Sequence, residues 1–305
     1  MKFENTEVTG FENAIWGARL PMCKNLEEAK EKSDSFICVN GSGNCEKCRF
    51  YTHDIENFGM NEGCLKEEIL DEYKGLSVIG EKDLDLLKRL INADDKIGQP
   101  NSKFLRMIHA QVCITAPLYW WKEMDTYKVG TTVNSTSTMH RIANYPITMD
   151  CFEMDDFAEL VMIEDSSEDR NDVGMNCLWD NLIYCLEQLR QGYNELINQA
   201  KDLTRKAKEL EESDINTSNE FKIEAKKASD VAKKYWKELI RLLPESWLQT
   251  RMFDCDYATL RNIYCWRVKM PHKLTEWKQF GDWVETLPYT RYNIYQVLFY
   301  FSGGE

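Results

Sequence analysis

The residues best suited to chemistry lie between Pro117 and Arg141, in PLYWWKEMDTYKVGTTVNSTSTMHR. Lys128, His140 and Arg141 are cationic or titratable donors able to meet a phosphate, and Gly130 permits a tight turn between them. Thr131, Thr132, Asn134, Ser135, Thr136, Ser137 and Thr138 crowd short hydroxyl and amide groups into one stretch. Such groups, together with backbone N–H donors, can wrap an anionic or sugar-bearing ligand without a large positive charge. The competing reading is a Ser/Thr turn that satisfies its own backbone.

A second cluster is Cys38-x6-Cys45-x2-Cys48, with His53 and Cys64 downstream. The CxxC spacing suits a tetrahedral zinc knuckle in which Cys38, Cys45, Cys48 and Cys64 are the ligands, because zinc takes thiolates readily. Reduced structural thiols fit the same residues, and redox activity is a third reading, although no thioredoxin-like setting surrounds them. The chain has neither a phosphate-binding P-loop nor a dinucleotide glycine fingerprint, and no metalloprotease helix motif.

Certain elements must position these groups. Met107–Thr115 alternates strictly, with Ile108, Ala110, Val112 and Ile114 on one side, and reads as a strand with one buried face. A short strand opens the chain near Lys2–Val8, and Asp83–Asn92 is predicted helical with Leu84, Leu87, Leu90 and Ile91 inward. Pro117 introduces a helix over Leu118–Thr126. Cys177–Leu243 reads as a long helical hairpin with stripes at Leu178, Leu182, Cys185, Leu186, Leu189, Tyr193 and Leu196, and at Phe221, Ala225, Ala228, Ala232, Tyr235, Leu239 and Leu242. Its turn is placed in Glu211–Asn219, with Thr217 and Glu220 at capping-box spacing. After Pro244 come a strand over Trp247–Cys255, a helix from an Asp256 cap to Arg267, and a helix over Leu274–Thr286. This order gives an α+β fold with α/β-like character. The expected divisions are 1–75, irregular and cysteine-bearing; 76–160, the first half of a core; 161–243, the hairpin insertion; and 244–305, the second half.

Composition limits the partners. The formal net charge is −13, which argues against broad phosphate-driven nucleic-acid binding but leaves room for a local cationic pocket. No apolar run reaches the roughly 20 residues of a membrane span, and no signal core opens the chain, so a cytoplasmic protein with reduced thiols is expected. Cys113, Cys185 and Cys265 read as small core residues, as do most of the tryptophans.

Two blocks carry a family resemblance. A strand leading to Pro117-Leu118-Tyr119, followed by Asn134-Ser135-Thr136-Ser137, resembles the substrate- and flavin-binding segment of the flavin-dependent thymidylate synthases. Leu243-Pro244, Asp256–Leu260, Arg267 and Leu274–Lys278 are similar in order and spacing to that family's second block. The resemblance implies a synthase-like core with a mixed sheet and long helices, plus the helical hairpin as an insertion. It also implies a homotetramer, flavin adenine dinucleotide (FAD), a pyrimidine nucleotide such as dUMP, and methyl transfer. By position it implies catalytic roles for Arg267 and Lys128, and ligand contacts from Asn134, Ser135, Ser137, His140, Arg141, Arg251, Asp256, Glu276 and Lys278. Thr126, Tyr127 and Lys128 stand where the family has Arg-His-Arg, and Met139 where it has another arginine. A forked guanidinium grips phosphate in a way Tyr or Met cannot reproduce. These departures resemble phage- and prophage-borne versions, and imply an alternative: a catalytically inactive binding protein directed at a host protein or nucleotide.

Overall fold

The computed structural model describes residues 1–37, 51–52, 63–64, 77–93, 100–155, 157, 175–270 and 272–290. Along them run β1 (Lys2–Thr9), α1 (Phe11–Arg19), α2 (Leu26–Lys32), β2 (Phe36–Ile37), β3 (Tyr51–Thr52), β4 (Gly63–Cys64), β5 (Ser77–Val78) and α3 (Glu81–Asn92). There follow β6 (His109–Pro117), α4 (Leu118–Met124), β7 (Thr131–Ser135), α5 (Thr138–Arg141), α6 (Met175–Glu209), α7 (Ile215–Leu242), β8 (Leu248–Asp256), α8 (Tyr257–Ile263) and α9 (Glu276–Thr286). Four strands form one sheet in the order β1-β6-β8-β7, and β2–β5 and β3–β4 are short antiparallel pairs. The fold is α+β, as expected. None of the described helices is long and apolar enough to cross a membrane.

The chain divides into two compact units. One comprises Met1, Thr115–Glu123 and Ser135–Arg251, and its main feature is the α6–α7 hairpin. Leu186, Ala200 and Ala207 on α6 are buried, as are Ser218, Ala225, Ala228, Ala232 and Leu239 on α7. On α7 these positions follow the alternating three- and four-residue spacing that keeps one seam turned toward a partner helix. The seam is lined mostly by small side chains, so the helices approach closely. A Cβ at Gly192 would meet the Tyr235 ring at 2.6 Å, and the buried Ser218 hydroxyl donates to the Ala207 carbonyl at 2.7 Å. Leu178, Cys185, Tyr235 and Leu242, expected inward, are exposed because they lie on the rim of this narrow seam or at its ends.

The cap of α7 also differs from expectation. Asp214 is the cap, accepting from the Thr217 N–H at 3.2 Å and from its hydroxyl at 2.6 Å. Thr217 therefore sits inside the first turn, and the connection ends earlier than Asn219. A carboxylate at a helix N-terminus gains from the dipole as well as the hydrogen bond, so Asp214 outcompetes Thr217. The base of the hairpin packs on Ile142, Ile147 and Phe152, with Trp179, Trp236 and Trp247 around them.

The other unit comprises Lys2–Ile114, Met124–Asn134 and Met252–Glu305. Ile108, Ala110, Val112 and Ile114 are all at most 1% exposed, so the period-two reading of β6 holds for the whole buried face. Leu84, Leu87 and Ile91 of α3 are buried as expected, while Leu90 is half-buried. Asp83 is fully buried among them, a placement its polarity did not suggest. Its carboxylate accepts from the hydroxyls of Ser33 and Ser35, each at 2.6 Å, and pairs with Arg19. Asp34 answers by accepting from the N–H groups of Lys82 and Asp83 at 2.9 and 3.0 Å. Burial pushes the Asp83 carboxyl up, but the hydrogen bonds from Ser33, Ser35 and Arg19 together outweigh it and hold the group below its ordinary value.

Candidate functional site

The site is built around the turn that follows α4. The Tyr127 N–H closes on the Met124 carbonyl at 3.0 Å, and the Thr131 hydroxyl returns to the Tyr127 carbonyl at 2.6 Å. Gly130 takes φ 73°, in the left-handed region where a side chain is disfavoured. It lies against the start of α8. The Asp256 N–H donates to the Gly130 carbonyl at 2.9 Å, and the Thr259 hydroxyl donates to the Val129 carbonyl at 2.9 Å. Asp256 caps α8, as expected, by accepting from the Thr259 N–H at 2.7 Å.

Between this turn and α8 lies a cavity of about 320 Å³. Thr126, Tyr127, Lys128 and Val129 form one wall, and Ala258, Thr259 and Asn262 of α8 another. Arg106 completes it from the end of the helical turn Asn101–Met107. The lining contains two cations and three neutral side chains with hydrogen-bonding side-chain O or N atoms besides the Tyr127 hydroxyl, and no carboxylate. In a chain of net charge −13, the charged side chains of this lining are both cationic.

Arg267 does not line the cavity. Beyond Ile263, α8 passes into a π-helical segment, Tyr264–Lys269. The wider winding changes the direction in which later side chains leave the axis. Arg267 Nε donates to the Tyr127 hydroxyl at 3.0 Å, and Nη1 lies 3.0 Å from His272 Nε2. Its guanidinium carbon sits 5.3 Å from the centre of the Trp277 ring. The Leu274 N–H approaches the other nitrogen of His272 at 3.1 Å, so two donors converge on a ring that, when neutral, accepts from only one.

Of the residues singled out in the sequence, Lys128 lines the cavity, while Asp256 meets the turn at the Gly130 carbonyl and Arg267 meets it at the Tyr127 hydroxyl. Asn134 and Ser135 are exposed on β7, and Lys278 is exposed. Glu276 is 2% exposed in the first turn of α9. Arg251 stacks over Trp121 at 4.3 Å, and its Nε donates to Gln249 Oε1 at 2.9 Å. Gln249 in turn donates to the Thr136 carbonyl at 3.0 Å and the Thr138 hydroxyl at 3.3 Å. Thr136 and Thr138 of the Ser/Thr run thus meet a side chain of β8. Ser137 receives the Arg141 N–H on its carbonyl, and the Arg141 guanidinium donates to the Tyr145 hydroxyl at 2.9 Å. None of Asn134, Ser135, Ser137, Arg141, Arg251, Glu276 and Lys278 lines the cavity. The backbone of His140 belongs to α5, and its side chain lies outside the described residues.

Cys38, Cys45 and Cys48 lie outside the described residues, as does the Cys64 side chain. Among the described residues, no group of three or more His, Cys, Asp or Glu is placed to hold a metal. Cys255 is fully buried, and that burial pushes its thiol well up, away from reactivity.

Arg106, Thr259 and Asn262 were not among the candidates. The signal for the last two was available: a helix capped by Asp256 puts residues 258, 259 and 262 on one face. Arg106 carried no such signal, since nothing local brings it to the 126–129 turn.

No family model matches the chain, and no curated protein does. Among solved structures it is similar to a Helicobacter pylori flavin-dependent thymidylate synthase ThyX complexed with FAD and dUMP, at 14% identity over 94% of each chain, TM-score 0.42. A second ThyX structure from that organism, also with FAD and dUMP, gives 14% identity over 98% of this chain and 97% of that one, TM-score 0.45. A UMP/dUMP methylase PolB from Streptomyces cacaoi bound with 5-Br dUMP gives 12% identity over 93% and 89%, TM-score 0.41. Such overlaps assign no role to any residue.

Proposed function

We propose that the cavity between the 126–129 turn and α8 binds a pyrimidine nucleotide of the dUMP type, held by its phosphate. The observation that carries this is the pairing of Arg106 and Lys128 in a lining without carboxylates. Thr126 and Thr259 add hydroxyls, and the Asn262 amide offers both a donor and an acceptor to a base or sugar edge. A volume of about 320 Å³ is at the small end of the roughly 300–1,000 Å³ range of ligand sites, which suits a mononucleotide. FAD, with two nucleotide halves and a fused ring system, does not fit it whole. A flavin would need surface outside this cavity, and the visible spectrum of freshly purified protein tests that.

Calorimetric titration with dUMP at low salt tests the nucleotide reading. Each charge-assisted contact contributes about 1.5–3 kcal/mol, so replacing Lys128 or Arg106 by Ala is expected to weaken binding at least tenfold. Unchanged affinity in both variants would refute it. Thymidylate formation is the activity the resemblance implies for such a site, and growth of a thymidine-auxotrophic strain carrying the gene measures it.

A further inference from the structure

We infer that Arg267 is a positioning residue of this cavity, acting on the ligand through Tyr127. The inference rests on the nucleotide reading for its ligand, but not for its geometry. By its place in the sequence Arg267 reads as a catalytic contact, yet it does not line the cavity, and it meets the lining at Tyr127, through the hydroxyl and, at 5.7 Å, the ring. Its Nε–H serves the Tyr127 hydroxyl, its Nη1 faces His272, and its flat face lies near Trp277. Tyr127, by contrast, lines the cavity beside Lys128.

The route from one to the other is short. Tyr127 leads the turn that presents Lys128 and Val129, and its backbone carbonyl is tied to Thr131 at 2.6 Å. The far end of the turn is held at Gly130 and Val129 by Asp256 and Thr259. Its near end is held at the tip of the Tyr127 side chain by Arg267. The guanidinium is itself kept in place by an aromatic face and an imidazole, so it acts as a fixed post. An anchor of this kind lowers the ordering that binding must otherwise impose on the turn, and so raises affinity without touching the ligand.

The test is a double-mutant cycle with Arg267→Met and Tyr127→Phe, read by dUMP affinity and by hydrogen exchange of the amides in 125–131. Tyr127→Phe removes the hydroxyl and keeps the ring. Each single variant is expected to weaken dUMP binding by a similar factor, roughly 3–10-fold for one hydrogen bond. In the Tyr127→Phe background, Arg267→Met is expected to cost clearly less than in the wild type, since only the contact with the ring remains to be lost. Exchange across 125–131 is expected to quicken in both single variants without dUMP present. An equal loss from Arg267→Met in both backgrounds would overturn the inference in favour of direct ligand contact or general stability. So would unchanged exchange. Failure of the wild-type chain to bind dUMP would instead sink the nucleotide reading, leaving the exchange measurement to decide the positioning role alone.

Discussion

Gly130→Ala puts one methyl group where the geometry leaves no room. A Cβ there would lie 2.0 Å from Asp256 Oδ2 and 2.6 Å from Thr259 Oγ1. Both atoms belong to groups with other work. Asp256 caps α8 through Thr259, and the Thr259 hydroxyl holds the Val129 carbonyl. Relief of the clash must therefore swing Asp256 off its cap or push the turn away from α8. Losing a cap costs about 1 kcal/mol, and a side chain at φ 73° about 1–2 kcal/mol more. The expected destabilisation is about 2–3 kcal/mol, measured as a drop in the urea midpoint at unchanged slope. Asp256→Ala supplies the comparison: it removes the cap but introduces no clash, and is expected to cost only about 1 kcal/mol. The turn carries Tyr127, Lys128 and Val129, so Gly130→Ala should also lose dUMP affinity at temperatures where it remains folded. A Gly130→Ala protein as stable as wild type would refute the account of the turn.

Three further outcomes test the surrounding frame. Glu187 accepts from Arg190, from the Ile147 N–H and from Gln191, and the Arg190 hydrogen bonds above all draw its carboxyl down to about 2. Its folded value lies below the ordinary one, so the stabilisation is present above about pH 5 and lost as pH falls toward 2. Full linkage would give about 3 kcal/mol, and solvent at the edge of the pair reduces this to about 1–2. Glu187→Gln should flatten the acid limb of the stability curve in that window. Asp83→Leu leaves the Arg19 charge and the hydroxyls of Ser33 and Ser35 without their acceptor and should cost about 3–5 kcal/mol by chemical denaturation. Gly192→Leu should part the α6–α7 seam at Tyr235, lowering the thermal midpoint, whereas Lys201→Leu on the exposed side of α6 should leave it nearly unchanged.

How much of this could be read from the residues depends on the range of the interaction involved. The alternation of Ile108, Ala110, Val112 and Ile114 specifies a strand and its buried face by itself, and the structure repeats it. The hairpin was legible for the same reason, since a long periodic stripe is a local pattern. Asp83 was not legible, because its burial depends on Ser33 and Ser35, which lie far away in the chain. Asp214 was within reach, since a carboxylate three residues before Thr217 is the stronger cap. The Ser/Thr run shows the opposite problem. Its composition admits a ligand loop and a self-satisfied turn, and the partners of Thr136 and Thr138, Thr250 and Gln249, come from a strand far along the chain that local composition does not reveal.

Arg267 carries that argument to the site itself. Continued as an α-helix, the turns after Asp256 would place position 267 within an unbroken 3.6-residue register. The π segment Tyr264–Lys269 breaks the register before the arginine is reached. Within that segment Arg267 donates to the Tyr127 hydroxyl, and the Trp277 ring centre lies 5.3 Å from its guanidinium carbon. Sequence spacing fixes the arginine's distance along the helix but not its angle around the axis, and that angle sets which groups it can reach. The cations left at the cavity wall, Lys128 and Arg106, come from elements that no helical register connects. On the proposed nucleotide reading, anion selectivity is a property of the assembled turn and α8, so variants that loosen the turn should lose affinity even when both cations are kept.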